Sequence, residues 1–231
     1  ADSTHVRGAD HPDTLVTRQH WLNSLAMTGR YEEALKGSAP LLAAMEKRFG
    51  PDHRFTLGLR STRFESFAAL GRHDEAAAEA KRVWEGAAAQ AGPHSHQALV
   101  GQIDYASALC RTPQRQQALG LTRDALAASL SDFGADFPLT HSIRYFTAEC
   151  LIANQRFAEA GRMLRDVDRE KVAQLLGNPD FDATVNVALA EVAMDEIINA
   201  PRRGNWDDQF DAKASRTAAA VTTKNPIFGP G

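Results

Sequence analysis

From Tyr31 to Phe49, apolar or small residues stand at Tyr31, Ala34, Leu35, Ser38, Leu41, Leu42, Met45 and Phe49, the spacing of one buried face on an amphipathic helix about five turns long. The stretch before it, from about Thr14 to Thr28, has the same helical periodicity, with Leu15, Trp21, Leu22 and Leu25 as its buried candidates. Gly29-Arg30 turns the chain between them. Adding 42 to these positions finds them again: Leu25 maps to Phe67, Leu109 and Leu151, Ala34 to Ala76, Ala118 and Ala160, and Phe49 to Ala91, Phe133 and Leu175. A small residue held at one place in each unit is what close helix approach requires, since a larger side chain would push the helices apart.

The loops between helix pairs repeat with the same period. Gly50-Pro51-Asp52-His53-Arg54-Phe55-Thr56-Leu57 is preceded by Gly8-Ala9-Asp10-His11-Pro12-Asp13-Thr14-Leu15 and followed by loops that begin at Gly92 and Gly134, with a looser copy at Gly177. Each glycine falls where a helix ends and a left-handed residue costs least, while Pro12 and Pro138 forbid continuation. Thr14, Thr56 and Thr140 are placed to cap the helix that follows. A fixed period of this length signals stacked units, each too small to bury its own apolar face. The units fall near residues 8–49, 50–91, 92–133, 134–176 and 177–221, with a lead-in at 1–7 and a flexible tail at 222–231. The last unit departs from the pattern. Its first helix spans about 183–200, Pro201 to Gly204 makes a longer turn, and Trp206, Phe210, Ala214 and Ala218 at four-residue steps read as a closing helix over 205–221. The expected fold is all-α, a solenoid of antiparallel helix pairs with a C-terminal capping helix. β-propeller blades are excluded because the alanine-rich units lack β-branched alternation.

Composition narrows the function further. A formal charge of -3 gives no general basic field, which sets nucleic acid aside, and no run approaches the roughly 20 apolar residues of a membrane span. Two cysteines, Cys110 and Cys150, are too few for a disulfide framework or a four-thiolate zinc site. Two small buried hydrophobes are the expectation, a single bridge the alternative in an extracytoplasmic setting. The chain opens at Ala1 in the middle of a repeat pattern, which reads as part of something longer; the compartment stays open, cytoplasmic or, where a membrane span precedes, periplasmic.

Leu25-Ala26-Met27-Thr28-Gly29-Arg30-Tyr31-Glu32-Glu33-Ala34-Leu35, and again Ala68-Ala69-Leu70-Gly71-Arg72-His73-Asp74-Glu75-Ala76, resembles tetratricopeptide (TPR) repeats, in the 42-residue variety of kinesin light chains. The resemblance covers about residues 8–200. In the third and fourth units Pro113 and Gln155 replace the turn glycine, and Arg115 and Phe157 the tyrosine. The resemblance implies a right-handed superhelix whose first helices line a concave groove for peptides or partner proteins; HEAT-like stacking is the rival arrangement. The stretch Arg165 to Gly177 and the degenerate units also resemble the C-terminal repeat halves of bacterial signalling proteins, in which a Ser/Thr protein kinase or winged-helix domain precedes the repeats.

In that family register the groove-facing residues are Gln19, Asn23, Ser61, Glu65, Asp104, Ser107, Arg111, Tyr145, Glu149 and Glu191. They would make an acidic, hydrogen-bonding surface suited to a peptide backbone or a basic side chain; a solvated helix face is the plain alternative. Arg18, Arg60 and Arg144, with Gln102 in the third unit, recur at another position, where pairing between adjacent helices is the expectation. His11, His53, His94 and His96 lie in the loops a repeat apart with no convergent ligand set, so loop capping is expected and no metal or cofactor. Signatures of phosphate-binding loops, nucleophile elbows and zinc peptidases are absent, so no catalytic residue is assigned. The function that follows is a non-catalytic protein- or peptide-binding module, the sensory or scaffolding part of a larger protein. A structural dimerisation or assembly module is the second reading.

Overall fold

The computed structural model describes residues 8–198; the lead-in, the closing helix expected over 205–221 and the tail fall outside them. The described residues form ten helices and no strand: α1 (Pro12–Met27), α2 (Tyr31–Phe49), α3 (Arg54–Ala69), α4 (His73–Ala91), α5 (His96–Cys110), α6 (Arg115–Asp132), α7 (Pro138–Ala153), α8 (Phe157–Arg165), α9 (Arg169–Leu176) and α10 (Phe181–Ile198). They divide into two compact units, one ending at Asp132 and one beginning at Phe133. The architecture is the all-α, helix-pair arrangement that the repeats predict.

In the first unit each helix packs on the next from α1 through α6, and α1 also packs on α3. The alanine column explains how they come close. Ala34 is 1% exposed, and Ala76 and Ala118 are fully buried. Leu15, Leu22, Leu25, Leu41, Met45 and Leu59 fill the core beside them, with Tyr31, Phe49 and Phe55 at its edge. Trp21 is not among them: it is 58% exposed, because Leu22 and Leu25 already occupy the stripe of α1 that faces α2. The Phe49 column holds only in part, since Ala91 is exposed and Leu175 is 41% exposed. At Gly101 the approach of α5 to α4 is closest, and a Cβ there would lie 2.8 Å from the Trp84 Cα and 2.9 Å from its backbone nitrogen.

The loops work by a division of labour that differs from the expected threonine caps. The four loop glycines, Gly8, Gly50, Gly92 and Gly134, all have φ between +84° and +100°. His11 and His53 cap the next helix: Nδ1 of His11 accepts from the Asp13 N–H at 3.2 Å, and Nδ1 of His53 from the Phe55 N–H at 3.3 Å. Ser95 does the same in the third loop, accepting from the Ala98 N–H at 3.3 Å. The threonines sit inside the first turn and donate backwards, Thr56 Oγ1 to the Gly50 carbonyl and Thr140 Oγ1 to the Gly134 carbonyl, both at 2.8 Å. Each ties the loop's start to the new helix, three residues after the N-cap position.

Turns within pairs repeat as well. The Arg30 N–H donates to the Leu25 carbonyl, Arg72 to Phe67 and Arg156 to Leu151, at 2.9, 2.9 and 2.8 Å. Each arginine side chain then folds onto the glutamate three residues on, Glu33, Glu75 and Glu159.

The second unit contains α7 to α10. Packing runs α7 on α8, α8 on α10, and α9 on both α7 and α10. Where the repeat predicts one long second helix, α8 ends at Arg165 and α9 starts at Arg169, with Asp168 as its N-cap accepting from the Lys171 N–H at 3.1 Å. Cys110 and Cys150 are buried as expected, but both are in disulfide linkage rather than free thiols.

Candidate functional site

On α1, α3 and α5 the expected groove residues fall three or four apart, Gln19 with Asn23, Ser61 with Glu65, and Asp104 with Ser107 and Arg111, so each set shares one helix face. The first set touches the helix that carries the second, though through Thr62 and Gly58 rather than through Ser61 or Glu65. Asn23 Oδ1 accepts from Thr62 Oγ1 at 3.3 Å, and Gly58 leaves room for the Gln19 amide, whose Nε2 lies 2.9 Å from where a Cβ would stand. Gln19 is 9% exposed and its Oε1 has no hydrogen-bond partner. Ser61 Oγ donates to the Leu57 carbonyl at 3.2 Å, so it belongs to its own helix. Arg111 is exposed at the C-terminal end of α5.

Glu65 and Asp104 are the electrostatic centre of this face. Loss of hydration raises the Glu65 carboxyl above its ordinary value. Asp104 is pushed up to about 7, first by burial and then by the charge of Glu65. Neither carboxylate has a cation beside it among the described residues. The acids that the packing itself needs are paired: Glu79 accepts from Arg60 Nη1 and from Arg63 Nε, both at 2.7 Å, while Arg60 also bridges to Glu46. Arg60 thus joins α2, α3 and α4, and Gln102 makes the corresponding link in the next pair by donating to the Leu121 carbonyl at 3.0 Å. At the recurring position Arg60 and Gln102 are structural, while Arg18 is exposed and Arg144 donates to the Ala135 carbonyl of the preceding loop; the contacts described for the Glu65–Asp104 pair assign it no structural work.

In the second unit Tyr145 is only 4% exposed. It stands edge-on to Phe181 at 4.8 Å between ring centres, and its hydroxyl donates to Glu149 Oε1 at 2.7 Å. It therefore anchors α7 to α10 and aims Glu149. Glu191 is exposed on α10, in a groove of about 850 Å³ lined by Ile152, Phe157, Val187, Ala190 and Met194 among others.

A second polar cluster in this unit escaped the sequence reading. Ligand-type atoms of Asp136, His141 and Asp168 all lie within 4.8 Å of one another. Lys171 stands beside both acids, in contact with Asp136 and 3.4 Å from Asp168 Oδ2, and holds both carboxyls below the usual range through hydrogen bonds, from its ammonium to Asp136 and chiefly from its backbone N–H to Asp168. The signal lay in the repeat columns. His141 stands where the other units have Leu15, Leu57 and Leu99, Asp168 where they have Leu42, Trp84 and Leu126, and Lys171 where they have Met45, Ala87 and Ser129.

The described residues make a helix-pair repeat fold that carries an acidic pair, Glu65 and Asp104, on α3 and α5. Comparison with solved structures agrees on the fold. The nearly identical TPR-like repeats of a kinesin light chain-type protein from Podosopora anserina match with a TM-score of 0.65 at 18% identity, over 93% of this chain and 99% of that one, and a substituted form of the same protein matches equally. BtubC (BKLC) from P. vanneervenii matches with a TM-score of 0.62 at 15% identity, over 99% of this chain and 90% of that one. No protein-family model and no curated protein matches the chain. The fold is TPR-like, its structural neighbours are kinesin light chain-like repeat proteins, and no described helix is long and apolar enough to cross a membrane.

Proposed function

We propose that the chain is a non-catalytic protein- or peptide-binding module that takes a basic side chain of its partner against Glu65 and Asp104, and that it serves as the sensory or scaffolding part of a larger bacterial signalling protein. The observation that carries the binding site is the unpaired acid pair. Asp104, desolvated and in the field of the more exposed Glu65, costs the free protein stability when ionised, and a lysine or arginine placed beside the pair recovers it. Ser107 on α5, and Asn23 and Gln19 on α1, the last with its unpartnered Oε1, supply hydrogen-bonding groups for an extended backbone. The signalling context is supported by the degenerate later units, whose style resembles the repeat halves of such regulators.

The test is binding of the full chain to an array of lysine- and arginine-containing peptides, each beside its alanine-substituted counterpart. A Glu65→Gln, Asp104→Asn variant with an unchanged circular dichroism spectrum serves as control. The expected outcome is selection of basic peptides by the wild type and loss of at least tenfold in affinity by the variant, since a charge pair lost at a partly desolvated site is worth ~2 kcal/mol or more. Equal binding by both proteins overturns the acidic-site reading. The second reading, self-assembly, rests on α10, where Val187, Met194 and Ile198 are 62, 53 and 69% exposed along one helix.

A further inference from the structure

We propose that Asp136, His141 and Asp168 form a binding site for a first-row divalent metal ion, with Lys171 as the internal cation that competes for it. The site lies where the loop before α7 meets the break between α8 and α9. Its three residues come from three places in the chain, and two of them, His141 and Asp168, replace the apolar residues that the other repeats keep at those positions.

The histidine is the independent sign of a ligand. His141 is 7% exposed, and its Nε2 is buried without a hydrogen-bond partner, 3.6 Å from Asp136 Oδ1. An unsatisfied ring nitrogen in a buried position is costly to keep. Its other nitrogen is well held: Nδ1 lies 3.3 Å from the Asp166 carbonyl, 3.1 Å from the Asp168 backbone nitrogen and 3.1 Å from Arg144 Nη1. With the proton on Nδ1, donated to the Asp166 carbonyl, the Nε2 lone pair is left toward Asp136 Oδ1 at 3.6 Å. A backbone carbonyl on the far nitrogen is the usual support of a metal-ligating histidine. In that tautomer the Asp168 N–H loses its acceptor, whereas Arg144 keeps the Ala135 carbonyl at 2.9 Å; the exchange holds the affinity to a moderate level.

One imidazole and two carboxylates suit zinc or manganese better than magnesium, which prefers oxygen alone. Ligand atoms around one tetrahedral zinc lie about 3.3 Å apart, so the cluster needs to contract slightly. Asp136 makes that easy, because its side chain is 91% exposed on the loop. Lys171, one-third exposed, is free to swing out when a divalent ion takes its place. Three protein ligands leave the remaining positions to water, so the expected role is a clamp between the Gly134 loop and the α8–α9 break.

Calorimetric titration of the full chain with Zn2+ at neutral pH tests the site. Asp136→Asn is the informative variant, since so exposed a residue is removed without disturbing the core; Lys171→Gln removes the competitor. The expected result is one saturable site in the wild type, weakened roughly tenfold or more by Asp136→Asn and tightened by Lys171→Gln. No saturable binding by the wild type at millimolar Zn2+, unchanged affinity in Asp136→Asn, or equal response to Mg2+ would each overturn the proposal.

Discussion

Gln155 carries a backbone conformation that is otherwise found only at glycine among the described residues. Its φ is 60°, beside 77° at Gly29 and 72° at Gly71 in the equivalent turns, and the turn it closes has the same hydrogen bond from the following arginine back to the helix. A left-handed residue with a Cβ costs about 1–2 kcal/mol, and glycine returns about 0.5–1 kcal/mol of that through the entropy of the unfolded chain. Gln155→Gly is therefore expected to stabilise the protein by about 0.5–1 kcal/mol in urea denaturation. The departure from glycine was visible in the sequence, but the retention of the turn was not, because a six-residue backbone hydrogen bond leaves no residue signature of its own. At Thr112-Pro113 the same departure has the opposite outcome: Thr112 Oγ1 accepts from the Gln114 N–H at 3.2 Å and a different turn forms.

Between elements, the decisive quantity is how closely backbones approach. The space for Gly101 is set by the Trp84 backbone rather than by a side chain that could rotate away. Gly101→Ala must move α5 off α4 as a body, and it is expected to destabilise by about 1–3 kcal/mol despite alanine's better helix propensity. Chemical denaturation reads the loss; a gain in stability would show that the two helices slide freely. Helix existence, pairing and the buried alanine column were legible from period and spacing, because those follow from residue size alone. The break at Arg165 to Arg169 was not, since alignment to the other units predicts a continuous helix there. What ends it is Asp168 capping the next turn, and His141 from a distant part of the chain, whose Nδ1 lies within hydrogen-bond reach of the backbone of the break and accepts from the Asp168 N–H or donates to the Asp166 carbonyl according to its tautomer.

For the whole molecule, the repeat makes the fold readable while the site depends on what the repeats do not share. Glu65 and Asp104 were legible as positions in the repeat register, but the loss of hydration at their carboxyls comes from burial in the folded unit, and no pattern in either helix encodes it. That coupling has a pH signature. The Asp104 carboxyl has an ordinary value of 3.8 and stands at about 7 in the folded chain. Between those values the folded protein holds a proton that the unfolded chain has released, so this group's contribution to stability falls as pH rises from about 4 to 7 and is level outside that window. Asp104→Asn has no such proton to hold. Its stability relative to wild type is expected to climb across the same window, by at most ~1.4 kcal/mol per pH unit, as read by denaturation at a series of pH values. A partner's lysine or arginine reverses the balance, because it favours the ionised carboxylate. Peptide binding near pH 6 is then expected to release a proton and to weaken as pH falls, and calorimetry in buffers of different ionisation enthalpy measures that proton directly. Binding of basic peptides with no proton release at pH 6 would place their charge elsewhere than at Asp104.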